Sequence, residues 1–149
     1  MKILEPYSPI SDEQLEEFEK DVLGRSLPSD YRSFLLQSNG GVPDRKRFAT
    51  SDGKIESMVR FLLPLASDEE IEDNLASDFE GFVLASQVPS DMLPIAVDPI
   101  ENRLLLRIGS EPAGVFYWAW DEEDEDHEAS MVNIHHVADS FSKFMESLR

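Results

Sequence analysis

Apolar residues recur at helical spacing near the start of the chain, where Leu15, Phe18 and Val22 follow Ser11-Asp12-Glu13-Gln14. That tetrapeptide is a capping box: the Ser11 and Gln14 side chains each satisfy a backbone amide at the other end of the turn. Gly24 predicts the stop. A second helix is predicted from about Pro28, whose missing N–H costs nothing in a first helical turn. Tyr31, Phe34 and Leu35 form its apolar stripe, and Asn39-Gly40-Gly41 ends it by accepting positive φ. The pattern then changes. Asp52-Gly53 is a hairpin-turn signal between Phe48-Ala49 and a strand over 55–63. Ser67-Asp68-Glu69-Glu70 is a second capping box, with Ile71, Leu75 and Phe79 behind it. A loop over 89–94 leads to strands over 95–97, 103–108 and 115–120, joined by turn-rich segments at 99–102 and 110–114. A last helix is predicted over 137–148, with Val137, Phe141, Phe144, Met145 and Leu148 on one face.

The order is two helices, strands, a helix, strands and a helix. Strands joined by short turns pair antiparallel, which predicts an α+β fold, a mainly antiparallel sheet flanked by about four helices. A chain of 149 residues fits a single domain over 1–149, with its core at about 11–148. It is long enough to bury a core without disulfide or metal staples.

Charge changes the picture most. There are 31 Asp and Glu against 13 Lys and Arg, a formal net charge of −18. The signs are segregated: no Lys or Arg lies between Arg60 and Arg103, or between Arg107 and Lys143, while Arg45-Lys46-Arg47 is a tight basic cluster. Such a field repels phosphate backbones and anionic membranes and suits a basic protein partner. With no cysteine, thiol catalysis and Cys-based metal sites are excluded. The absence of an apolar leader and of any long apolar run leads to the expectation of a cytoplasmic protein.

At this point the chain resembles a known family. Gly24, Leu27-Pro28, Asp30-Tyr31, Phe34-Leu35 and Asn39-Gly40-Gly41 are similar to the opening signature of the SUKH superfamily, first known from a yeast regulator of cell-wall glucan synthesis. Pro94-Ile95-Ala96, Asn102 and Gly114-Val115-Phe116-Tyr117-Trp118 resemble its middle signature, and Ala138, Ser140-Phe141 and Phe144 its closing helix. One position departs: the family usually has Gly before the Asn of the middle motif, where this chain has Glu101. The resemblance implies a non-enzymatic α+β domain. Many bacterial members are immunity proteins that bind and block a polymorphic or contact-dependent toxin; eukaryotic relatives are regulatory scaffolds of cell-wall synthesis. The signature residues themselves read as core and turn positions.

Few residues carry candidate chemistry. Adjacent His135 and His136 cannot share a helical face, and in a strand they point to opposite sides. With His127 they form no metal motif, and the bland reading is a surface loop and a strand or helix edge. A calcium loop starting at Asp121 would put Asp126 where Gly is needed and Val132 where a bidentate Glu is needed, so it fails. No phosphate-binding or nucleophile motif occurs. No catalytic residue, cofactor or metal is therefore expected. Asp121, Glu122, Glu123, Asp124, Glu125 and Asp126 read either as a solvated loop or as a docking surface for a basic partner. Trp120 beside them is a candidate anchor, and one aromatic face of the 115–120 strand a candidate contact surface.

Overall fold

The computed structural model describes residues 2–66, 71–109, 113–124 and 127–149. The first helix, α1, runs Asp12–Glu17 and carries the predicted capping box, Ser11 accepting from the Gln14 amide. It widens into a π-helical stretch over Phe18–Leu23 and stops at Gly24, at φ 72°. Within that stretch the buried Glu19 accepts from the Leu27 amide (2.7 Å) and from Arg32 Nε (3.1 Å). This carboxylate fixes the Leu27-Pro28 corner from which α2, Ser29–Gln37, departs.

Asn39-Gly40-Gly41 does more than end α2. Asn39 Nδ2 donates to the Ser8 and Leu65 carbonyls and its Oδ1 accepts from the Leu65 amide, all at 2.8 Å. That clasp pulls three distant segments together. A Cβ on Gly40 would meet the Leu62 carbonyl at 2.6 Å, and one on Gly41 the Leu4 carbonyl at 2.8 Å. Both positions also have positive φ, so only glycine fits.

The sheet is a five-stranded antiparallel meander. Its strands are β5 (Phe61–Leu62), β6 (Met92–Val97), β7 (Arg103–Arg107), β8 (Val115–Trp118) and β9 (Ile134–Ala138). Two small ribbons flank it, β1 (Ile3–Leu4) with β2 (Val42–Pro43), and the hairpin β3 (Arg47–Ala49) with β4 (Glu56–Met58). The chain is thus α+β. Both faces of the meander are covered. On one, Phe48 packs on Tyr117 and on Phe144 of α4 (Phe141–Ser147). On the other, Phe82, in the π-helical stretch after α3 (Leu75–Asp78), meets Trp118 edge to face at 5.2 Å. Double coverage is why β6, β7 and β8 read as continuous apolar runs rather than alternating ones. It also means that neither face of β8 is a contact surface: Tyr117 and Trp118 are both buried.

Several predicted boundaries shift. The expected 55–63 strand divides: β4 stays in the hairpin and β5 joins the meander. The capping box at 67–70 lies outside the described residues. Residues 71–73 are not helical, and the α3 cap is Asn74, which accepts from Ser77. The predicted 89–94 loop gives way at Met92, and Pro94 lies inside β6 beside a register irregularity, where a missing N–H is tolerated. β8 ends at Trp118, because the chain turns into a 3₁₀ turn, Trp120–Glu122. Val137 belongs to β9, and α4 starts only after the Ser140 cap. Among the described residues no helix is long and apolar enough to cross a membrane.

Candidate functional site

The turn that carries the acidic run is built from the β6–β7 connection. Asp98 is buried and collects four donors: the Ile100 amide (3.0 Å), the Asn102 amide (2.8 Å), Ser57 Oγ (2.9 Å) and Tyr117 Oη (2.5 Å). Burial, and then this bond to a carboxylate, push the Tyr117 hydroxyl up to about 12. Asn102 Nδ2 donates to Tyr117 Oη (2.9 Å) and to Asp121 Oδ1 (2.8 Å), while its Oδ1 accepts from the Asp121 amide (3.0 Å). The signature asparagine is therefore the strut between the β6–β7 turn and the acidic turn. Between them stands Glu101, at φ 70°. It takes the left-handed conformation that the family's usual glycine adopts freely. Glu101→Gly is expected to raise stability by about 0.5–1 kcal/mol, since the ion pairs it forfeits, an exposed one with Arg60 and a long one of 3.8 Å with Arg103, are worth little. Urea midpoints of the two proteins check this.

Of the six acidic candidates, Asp121, Glu122, Glu123 and Asp124 are described; Glu125 and Asp126 lie outside the described residues. The four are not a uniformly solvated loop. Asp121 is tied to Asn102, and Glu123 accepts the Trp118 indole N–H at 3.0 Å. Asp121, Glu122 and Asp124 are exposed and Glu123 is half-buried. Trp120 is 40% exposed and rests edge-on against Phe82. Ile100, 61% exposed, lies across from it. Together they line a pocket of about 520 Å³ with Asp121, Glu123, Asp124 and His127. His127 closes one side, its Nδ1 facing the Asp124 carbonyl (2.8 Å) and its Nε2 the Gln87 carbonyl (3.1 Å). Behind Phe82 is a buried ion pair, Arg103 Nε to Asp78 Oδ2 at 2.7 Å, with the guanidinium 5.1 Å from the Phe82 ring centre.

The remaining sequence candidates are structural. Gly24, Leu27 and Pro28 make the first corner. Tyr31, Phe34 and Phe141 form one aromatic cluster, in which Tyr31 meets Phe141 at 4.9 Å. Burial holds the Tyr31 hydroxyl protonated well above the usual tyrosine range. Pro94 and Ile95 lie within the buried β6.

The histidines sit as expected: His127 lies in a connecting segment, and His135 and His136 are in β9, the edge strand of the meander, opposite Tyr117 and Phe116. His136 joins Ser51 Oγ (2.9 Å) to Asp139 Oδ1 (3.0 Å), the order of a nucleophile, base and orienting acid. The Ser51 amide also donates to the His136 carbonyl, so these bonds together join the β3–β4 hairpin to β9. Among the described residues no group of three or more His, Asp or Glu side chains is placed to hold a metal ion.

Sequence reasoning missed Asp98, Ile100 and the Asp78–Arg103 pair as parts of this region. The spacing Asp98 to Asn102 was a usable signal for an Asx-type turn; the pairing of residues 25 apart was not visible. No protein of curated description and no solved structure matches the chain. The family model described as the SMI1 / KNR4 family (SUKH-1) does match, over residues 9–147 and so across nearly all of the 149 positions, and the chain belongs to that family.

Proposed function

We propose that the chain is an immunity protein: a non-enzymatic, cytoplasmic inhibitor that binds a cognate polymorphic or contact-dependent toxin, with a basic nuclease domain as the favoured target. The observation that carries this reading is an exposed tryptophan on a braced acidic turn in a chain of net charge −18. A nuclease holds phosphates with Lys and Arg. An acidic binder is steered to that cleft, and association can approach about 10⁸–10⁹ M⁻¹s⁻¹ at low salt. Lasting affinity needs desolvated anchors, a role that Trp120 fits.

Neutralising Glu122, Asp124 and Asp126 to their amides is expected to slow association about 10-fold at low salt and to flatten its salt dependence. Glu123 is left in place because it holds the Trp118 indole. Stopped-flow kinetics against the toxin domain measure both effects; unchanged rates would take the turn out of the interface.

A further inference from the structure

We infer that the pocket between Trp120 and Ile100 receives an arginine side chain from the protein partner. The inference rests on the reading of the chain as a binder of a basic protein, and it assigns the contact that fixes that partner in place. The lining is of two kinds. Trp120 and Ile100 offer apolar surface that is left exposed in the free protein. Asp121, Glu123 and Asp124 supply carboxylates around it. An arginine has both complements, an aliphatic stem and a planar cation that stacks on an indole and pairs with carboxylates through two N–H groups at once.

The carboxylates are held ready. Asp121 is fixed through Oδ1 by Asn102, and Glu123 through Oε1 by Trp118. The second oxygen of each has no hydrogen bond among the described residues. Preorganised acceptors bind a cation without the entropy cost of gathering flexible side chains. Trp120 is likewise steadied by its edge-on contact with Phe82 at 5.9 Å. Arg103, which packs over the Phe82 ring, is already paired with Asp78, so it does not compete for these acids. Lysine fits less well, because its compact, strongly hydrated ammonium gains less from the indole face. A pocket of about 520 Å³ exceeds one side chain, which leaves room for the residues flanking the arginine.

The test needs no partner. The full chain, ¹⁵N-labelled, is titrated with N-acetyl-arginine amide and separately with N-acetyl-citrulline amide, the neutral isostere. The expected result is saturable shifts at the Trp120 indole N–H, Ile100 and His127, with a dissociation constant on the order of millimolar. Citrulline should give shifts at least about 5-fold smaller. Trp120→Ala and, separately, Asp124→Asn should each weaken the arginine response several-fold. Asp124 is an exposed side chain, so that variant keeps the test valid if the tryptophan variant unfolds. Equal shifts with both probes, or arginine shifts scattered over the other acidic surfaces, would overturn the pocket. Arginine binding here without neutralisation of any toxin would keep the pocket and remove the immunity reading. One-to-one neutralisation with no arginine response at the pocket would do the reverse.

Discussion

Replacing Asp98 by Ala is expected to lower the free energy of unfolding by about 3–5 kcal/mol, a large share of what a domain this size has. The side chain is almost fully buried and is the common acceptor of two backbone amides and two hydroxyls. Removing it orphans the buried Asn102 amide and takes from Tyr117 its acceptor, and each orphaned buried donor costs about 1–3 kcal/mol. Ser57→Ala removes only one of the four donors and should cost about 1 kcal/mol or less. Urea denaturation of the two variants separates a hub from an ordinary contact; equal small losses would deny Asp98 the central place. The network also shapes the alkaline limit. Tyr117 titrates near 10 in the unfolded chain and is raised to about 12 in the folded one. Its contribution is therefore complete below pH 10 and lost as pH climbs from 10 through 12. Tyr117→Phe should show a shallower decline over that window than the parent protein.

Arg103→Met is expected to cost about 3–5 kcal/mol at neutral pH, because it leaves Asp78 buried without its partner. Burial raises the Asp78 carboxyl above its ordinary range even with the guanidinium 2.7 Å away. Without Arg103 the carboxyl shifts further in the same direction. A raised carboxyl favours folding below its unfolded value and loses that advantage as pH rises through the folded one. The deficit of Arg103→Met should therefore shrink as pH falls from 7 toward 4, and a deficit independent of pH would contradict this account. Adding Asp78→Leu to Arg103→Met should recover most of the loss, since an apolar pair of similar volume carries no desolvation cost. A double-mutant cycle in urea measures the coupling.

The α+β order was legible where local chemistry is strong. Ser11 with Gln14, Gly24, Pro28, and the stop at Asn39-Gly40-Gly41 each mark a helix boundary through a local cap, a fixed φ or a positive φ, and the structure keeps them. What failed were features decided by distant partners. The helix expected from 137 overruns the end of β9 because Ile134–Ala138 has little periodicity of its own; the segment becomes a strand by pairing with β8. The 55–63 run could not reveal that its halves belong to different sheets. At the candidate site, the acidity around Trp120 could be read from the sequence. The bracing of Asp121 by Asn102 and of Glu123 by Trp118 could not, because those contacts exist only after β7 and β8 pair. The family signatures, Asn102 among them, proved to be corners, clasps and core, and so they identify the fold without naming a partner.

The central proposal is stoichiometric inhibition of a toxin, and it is tested most directly by sequencing upstream of the gene, where the proposal places a toxin gene, and titrating the purified chain against that toxin domain. The account predicts that toxin activity falls linearly to zero at one equivalent. It also predicts that Trp120→Ala raises the dissociation constant at least about 10-fold without lowering the chain's own melting temperature by more than a few degrees. Full toxin activity in the presence of excess chain, or the lack of any toxin gene there together with capture of cell-wall or signalling proteins alone, would contradict it and assign the chain to the regulatory scaffolds.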